Sequence, residues 1–280
     1  MAKKDREHIR KLREEANAIR KQEQAKQRRN RLLLQLGIVG GAAILIAGLV
    51  FMLVKGGDLL LPRGETNASG TISLETSAGE TVEQPIQLHE GGYVSIGAAE
   101  APVVLDYYYD YSCPHCVEYH RIMGAAYTEL AASGQVRVNY RPIQFVAPYG
   151  KQAAAALLAA TQHQPESFLT VSDGLFSVPG QTQTGWGRED YAALLPQLGV
   201  TSPEAAQAVD DGAYLPVVNE STDAARDAGV KGTPSLAVNG QVQEALPSSP
   251  EELRTLVSEQ GAVLPTPTAS APAASPGSGS

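Results

Sequence analysis

Residues 101–122, APVVLDYYYDYSCPHCVEYHRI, contain both cysteines of a chain of 280 residues. The stretch before the cysteines is dense in β-branched and aromatic residues, which predicts a strand over 101–111. After the cysteines, apolar residues recur at helical spacing until Gly134, which predicts a helix that stops at that glycine. Cys113 and Cys116 therefore lie at the junction between a predicted strand and a predicted helix.

The spacing of this pair, with Pro114 and His115 between the cysteines, allows four interpretations. A disulfide that only stabilises the fold gains little from closing so short a loop, because its effect grows with loop length. A structural zinc site needs four ligands, and the sequence has no second cysteine pair. Covalent haem attachment needs a histidine directly after the second cysteine, where this chain has Val117. We therefore expect no metal ligands and favour a redox pair.

A redox function suits the position of the cysteines. The thiolate is the attacking species, and a thiol at a helix N-terminus loses its proton more easily because backbone N–H groups and the helix dipole favour negative charge. Pro114 suits the first helical turn, where its missing N–H matters least. His115 places a side chain that can carry positive charge beside the sulfur. We predict that Cys113 is the nucleophile, that Cys116 resolves mixed disulfides, and that the two form a catalytic disulfide.

The sequence after this stretch predicts an α/β architecture. Residues 135–146, QVRVNYRPIQFV, indicate a second strand, and 149–229 are helical in composition with Pro and Gly between short helices. Asn239-Gly240 between two apolar runs indicates a hairpin, and 250–261 predict a final helix. The order of strand, helix, strand, helical block, hairpin and helix places helices on a central sheet.

Two segments of this sequence resemble a known family. DYYYDYSCPHC at 106–116, followed by GVKGTPSLAVNG at 229–240, is similar to the DsbA-like thiol:disulfide oxidoreductases of the thioredoxin superfamily. The resemblance covers most of residues 92–263. It implies a thioredoxin fold with an inserted helical subdomain, which corresponds to 149–229.

The resemblance also implies roles for two residues far from the cysteines. Pro234 is expected to be cis and to lie beside the cysteine pair, and Thr233 is expected to present backbone groups to an extended substrate. Many family members carry a buried acidic residue six positions before the first cysteine, where this chain has Tyr107. The nearest acid is Asp106, which we expect on the opposite face of the strand. The group that exchanges a proton with Cys116 is therefore left open.

The N-terminal part of the chain predicts a membrane anchor. The run 32–54 has no charged residue, and as a helix it would span roughly 34 Å, enough to cross a bilayer. A cleaved signal peptide would have a shorter apolar core and a small-x-small site. Residues 1–31 carry twelve Lys or Arg and five Asp or Glu residues, and such a basic flank remains in the cytoplasm. We predict a single-pass cell-membrane protein with a cytoplasmic N-terminus and no nucleic-acid partner.

The remaining segments complete the predicted organisation. Residues 55–91 mix Gly, Thr, Ser and Glu with little periodicity, which predicts a flexible stalk. The folded, extracytoplasmic domain is expected over 92–263. Residues 264–280 are rich in Pro, Ala and Ser and predict a disordered tail.

These features predict an enzyme that donates disulfides to exported proteins with free cysteines and uses no cofactor. A Cys113 thiolate stabilised by the helix makes the dithiol form favourable, and therefore makes the disulfide form a strong oxidant. A membrane-embedded partner would then reoxidise the pair. Two alternatives remain open. One is a reductase or isomerase with the same fold, and the other is a membrane-anchored peptide-binding module without catalysis.

Overall fold

The computed structural model describes residues 61–76 and 78–265, together with Lys26, Gly40, Gly41 and residues 45–48. A compact unit begins at Leu61. Within the described ranges, no helix is both long and apolar enough to cross a bilayer. Almost all of the predicted basic segment 1–31, most of the predicted membrane helix 32–54 and most of the predicted tail 264–280 lie outside these ranges.

A central sheet organises the described part of the chain. Its seven strands are β1 (Ser69–Glu75), β2 (Thr81–His89), β3 (Tyr93–Ile96), β4 (Val103–Tyr109), β5 (Val136–Pro142), β6 (Ser235–Val238) and β7 (Gln241–Val242). Their order across the sheet is β1-β2-β3-β5-β4-β6-β7. β4 and β5 are parallel, and the other neighbouring strands are antiparallel.

Helices follow the strands in the order that the sequence predicts. They are α1 (Pro114–Ala132), α2 (Pro148–His163), α3 (Phe168–Ser177), α4 (Gly180–Gln183), α5 (Arg188–Leu194), α6 (Pro203–Asp210), α7 (Leu215–Asp227) and α8 (Pro250–Glu259). The six helices from α2 to α7 lie between β5 and β6, and they occupy nearly the same range as the predicted helical insertion at 149–229. The mixed α/β fold is therefore confirmed.

The flexible stalk predicted for 55–91 is wrong for residues 61–91, because β1 and β2 are part of the central sheet. Each strand buries two apolar residues that alternate with polar ones, namely Ile72 and Leu74 in β1 and Ile86 and Leu88 in β2. The other side of this hairpin is polar and largely exposed, so the amino-acid composition of β1 and β2 is similar to that of a linker. The folded domain therefore begins before residue 92.

Successive residues of β4 face opposite sides of the sheet. Tyr107 packs against α1, and its ring centroid lies 4.8 Å from that of Tyr127. Asp106 has other partners: its carboxylate accepts hydrogen bonds from Asn139 Nδ2 at 2.9 Å and from Arg141 Nε at 2.6 Å. Asp106 therefore does not replace the expected buried acid, as the alternation of the strand predicts.

Candidate active site

Cys113 occupies the cap position before α1, with extended backbone angles φ −87° and ψ 117°. Pro114 is the first helical residue, where a backbone N–H has no intrahelical partner. The N–H groups of Cys116 and Val117 donate to the Cys113 carbonyl oxygen at 3.0 and 3.1 Å, which begins the helix. Both thiols are free. Cys116 is fully buried, whereas 4% of the surface of Cys113 is exposed to solvent.

The two residues predicted to contact substrate lie beside Cys113. The Thr233–Pro234 peptide bond is cis, as the resemblance implies. In its protonated form, Cys113 Sγ donates a hydrogen bond to the carbonyl oxygen of Thr233 at 3.2 Å. The hydroxyl of Thr233 is buried and has no hydrogen-bond partner in the described part of the chain. A thiolate at Cys113 can accept a hydrogen bond from this hydroxyl.

The two thiols differ strongly in acidity. Hydrogen bonding from the Cys116 thiol lowers the pKa of Cys113 from an ordinary value of 9.0 to about 5, against the effect of burial. The value of about 5 also includes the lowering by the backbone N–H groups of Cys116 and His115 and by the hydroxyl of Thr233. Burial raises the pKa of Cys116 well above its ordinary value, and the hydrogen bond to Cys113 raises it more. At neutral pH Cys113 is therefore a thiolate and Cys116 a thiol.

His115 affects the nucleophile through its backbone. Its N–H is among the donors that lower the pKa of Cys113. Its side chain is exposed, and the ring forms no hydrogen bond or ion pair with the described residues. The positive charge that the sequence predicts beside the sulfur therefore stays a prediction.

Sequence reasoning missed Asp110, whose carboxylate is fully buried just before the cysteines. Its Oδ1 accepts hydrogen bonds from the N–H and hydroxyl of Ser112 at 2.8 and 2.6 Å. Its Oδ2 accepts from the N–H groups of Phe145 and Val146 at 2.7 and 2.8 Å. The carboxylate thereby joins the cysteine loop to the loop after β5. The Asp-x-Ser pattern indicates the local turn, but no local pattern indicates the partners after β5.

Comparison with known proteins assigns this site to a family. A sequence model of the family described as Thioredoxin matches residues 89–259, which is more than half of the chain. The chain belongs to the thioredoxin family. The matched region of this thioredoxin-family chain contains every residue predicted to take part in catalysis or substrate binding.

Curated relatives add the chemistry. The thiol:disulfide interchange protein DsbA of Pectobacterium carotovorum subsp. carotovorum is 27% identical over 146 residues, which are 51% of this chain and 69% of that protein. DsbA of Salmonella typhimurium is 26% identical over 147 residues, which are 52% of this chain and 69% of that protein. With a cysteine pair at a helix N-terminus, this thioredoxin-family chain is a DsbA-like protein thiol-disulfide oxidoreductase.

Solved structures show the same fold. BdbD from Bacillus subtilis superimposes with a TM-score of 0.54 at 19% identity, over 68% of this chain and 97% of BdbD. Oxidised DsbA from Mycobacterium tuberculosis superimposes with a TM-score of 0.51 at 24% identity, over 60% of this chain and 87% of that protein. The MdbA protein from Corynebacterium diphtheriae superimposes with a TM-score of 0.50 at 19% identity, over 68% of this chain and 94% of MdbA. The DsbA-like architecture therefore includes the helical block between β5 and β6.

Tyr107 occupies the position at which the resemblance implies a buried acid. Its side chain is fully buried, and its hydroxyl has no hydrogen-bond partner among the described residues. Burial raises the pKa of Tyr107 well above its ordinary value, and the negative charge of a Cys116 thiolate raises it further. In this DsbA-like chain a neutral phenol therefore replaces the carboxylate.

Two grooves flank α1. The first, here named the cysteine groove, has a volume of about 530 Å³ and is lined by Cys113, His115, residues 145–146, Arg226 and residues 230–233. The second, of about 610 Å³, lies between α1 and α3 and includes Tyr107, His120 and Arg121. Of these two, the cysteine groove contains the reactive sulfur. In the described ranges, no three His, Cys, Asp or Glu side chains are grouped to hold a metal ion.

Proposed function

We propose that this chain is a membrane-anchored, extracytoplasmic oxidase that donates disulfides to exported proteins with free cysteines. The observation that carries the proposal is the unequal acidity of the two thiols, with the pKa of Cys113 at about 5 and that of Cys116 raised. A stabilised thiolate favours the dithiol form of the enzyme. The disulfide form is then a strong oxidant.

Disulfide transfer proceeds in two exchange steps. A substrate thiolate attacks Cys113 Sγ in the oxidised pair, the Cys113–Cys116 bond breaks, and its electron pair moves to Cys116 Sγ, which takes up a proton. A second substrate thiolate attacks the substrate sulfur of the mixed disulfide. The substrate leaves with a disulfide, and Cys113 leaves as a thiolate whose low pKa makes it a good leaving group.

Thr233 orients the substrate in this proposal. Its backbone lies beside Cys113 Sγ, so an extended substrate segment that pairs with this backbone brings its cysteine to the sulfur. Such pairing uses main-chain groups and therefore places few demands on substrate sequence. Many different exported proteins can then be substrates.

The reduction potential tests the direction of the reaction. We expect the full-length chain, equilibrated with glutathione buffers, to have a potential nearer to the value of about −120 mV for a strong oxidant than to the value of about −270 mV for thioredoxin. A value near that of thioredoxin would contradict the oxidase and favour a reductase of the same fold.

Trapping tests whether the cysteines act on proteins. A Cys116→Ala variant leaves the mixed disulfide unresolved, so it should accumulate adducts with exported proteins that reducing agents release. The Cys113→Ser variant is the matched control and should form none. If neither variant forms adducts, and if the Cys113→Ser variant keeps the full activity of the wild-type chain in the cell, the chain is a binding module.

The membrane part of the proposal rests on the uncharged run 32–54 and its basic flank. We expect the chain to remain with membranes after carbonate washing and to leave them when 32–54 are deleted.

Reduced protein should be reoxidised in isolated membranes but not in the soluble fraction, because the proposed oxidant is membrane-embedded. Reoxidation in the soluble fraction alone would exclude such a partner.

A further inference from the structure

The cysteine groove differs in charge from the rest of its domain. Residues 61–265 contain nine Lys or Arg and twenty-four Asp or Glu residues, a formal charge of −15. The groove lining includes Arg226 and Lys231 and no carboxylate. Cations are thus concentrated next to the nucleophile of an otherwise acidic surface, which favours negatively charged ligands at this place.

The two cations of the groove differ in how far they are neutralised. Arg226 Nη1 lies 2.8 Å from Asp223 Oδ1, and its guanidinium lies 5.0 Å from the ring centroid of Phe145. Lys231 is exposed and forms no ion pair with the described residues. The positive charge that remains available to a ligand is therefore mainly that of Lys231, two positions before Thr233.

Apolar side chains complete the groove. Val146 is 54% exposed, and Phe145 and Val230 line the same space. An extended segment advances about 3.3 Å per residue, so a peptide whose cysteine reaches Cys113 places its neighbouring side chains over these residues and over Lys231.

We propose that the cysteine groove selects substrate segments that carry an Asp or Glu within a few residues of the reacting cysteine, and disfavours segments with Lys or Arg there. The proposal rests on the proposed function for its substrate class. Exposed ion pairs have modest energies and are screened by salt. The expected preference is therefore about 3-fold to 10-fold at low salt and falls toward unity at high salt.

The test measures mixed-disulfide formation, so that it does not depend on the direction of the redox reaction. Three peptides carry one cysteine activated as a 2-thiopyridyl disulfide and differ only in flanking Asp, Gln or Lys residues. In the full-length Cys116→Ala variant, the Cys113 thiolate attacks the peptide sulfur, and the thiopyridyl group leaves and is followed by absorbance. The readout is the rate ratio of the Asp peptide to the Lys peptide, divided by the same ratio measured with 2-mercaptoethanol thiolate in solution. The charge of the attacking thiolate itself and any general change in the reactivity of Cys113 then cancel.

Charge variants in the same background identify the residue responsible. Lys231→Gln should lower the ratio toward unity, and Lys231→Glu should invert it. Arg121→Gln removes one positive charge from the second groove and should leave the ratio unchanged. A normalised ratio of one at low salt, or a ratio that follows Arg121 instead of Lys231, would overturn the inference. The reduction potential of the wild-type chain tests the proposed function separately.

Discussion

Cys113 Sγ lies 3.2 Å from the carbonyl oxygen of Thr233, although the two residues are 120 positions apart. The sheet explains this proximity. β4 and β6 pair antiparallel, with Tyr108 opposite Ser235, so the loop that follows β4 meets the residues that precede β6. The reactive sulfur of Cys113 and the backbone proposed to hold the substrate are therefore placed by the same strand pair.

Thr233→Val should raise the pKa of Cys113, because the thiolate loses the hydroxyl donor while the shape of the side chain is kept. At neutral pH the dithiol form should lose about 1.4 kcal/mol of unfolding free energy for each unit by which this pKa rises. The disulfide form should change by less than about 1 kcal/mol, because the buried hydroxyl then has no thiolate to donate to. Thiolate absorbance measured against pH gives the pKa, and denaturant unfolding gives the stability. The matched control is Thr255→Val on the distant helix α8, which should leave the Cys113 titration unchanged.

Cys116→Ala should raise the pKa of Cys113 more than Thr233→Val does, since the hydrogen bond from Cys116 is the largest cause of the low value. In the reduced wild-type chain, the alkylation rate of Cys113 should level off above about pH 6, one unit beyond its pKa. In Cys113→Ala, the remaining Cys116 should alkylate slowly at neutral pH because it is fully buried. An identical Cys113 titration in wild type and Cys116→Ala would contradict this assignment.

The stability of the dithiol form should depend on pH. The pKa of Cys113 is about 5 in the folded chain and near the ordinary value of 9.0 in the unfolded chain, so the unfolded state binds more protons between these values. Stability then rises with pH across this window and is lost as the pH falls through 5. The pKa of Cys116 is raised above its ordinary value of 9.0, so this thiol changes the stability only at pH values above the window.

We expect the dithiol form to gain roughly 1–3 kcal/mol relative to the disulfide form from about pH 5 to pH 8. Urea unfolding of both forms measures this difference, since the disulfide form has neither titrating thiol. Reduced Cys113→Ser should show no such gain. If the difference in unfolding free energy between the two forms did not change with pH, the Cys113 thiolate would not stabilise the fold.

Local sequence signals predicted the parts of the site that depend on neighbouring residues. The aromatic and β-branched run of β4, Pro114 at the helix start and Asn239-Gly240 in the hairpin each impose a conformation on their own segment. Asn239 and Gly240 have the positive φ values of 49° and 80° that this turn requires. The cis bond at Pro234 was predicted only from the family resemblance.

The features that sequence reasoning missed depend on pairing between distant segments. β1 and β2 bury only two apolar residues each, so their alternation is too short to separate a strand from a polar linker. The partners of Asp110 follow β5 and are 35 and 36 positions away, and they meet it only because β4 and β5 run parallel. The cluster of Arg226 and Lys231 likewise appears only when α7 and the loop before β6 are placed beside Cys113.

Tyr107→Phe should leave stability unchanged or raise it by about 1 kcal/mol, because a buried hydroxyl without a partner costs free energy. The ring contacts with Tyr109 and Tyr127, at centroid distances of 5.0 and 4.8 Å, remain. Tyr191→Phe is the control, since its hydroxyl donates to Gln183 at 3.1 Å and its removal should destabilise. A loss of stability in Tyr107→Phe would show that the hydroxyl has a partner in solution.

Gly150→Ala should destabilise the chain although the residue lies in helix α2, where alanine is ordinarily preferred to glycine by about 1 kcal/mol. A Cβ at this position would lie 2.1 Å from Asp110 Oδ1 and 2.7 Å from Ser112 Oγ. The carboxylate must then move away from its four donors or α2 must shift, and either costs roughly 2 kcal/mol or more. Gly185→Ala is the matched control, because its nearest neighbour, the Thr182 carbonyl oxygen, is 3.8 Å away. Denaturant unfolding compares the two variants, and equal stabilities would show that the buried Asp110 carboxylate is not held against α2.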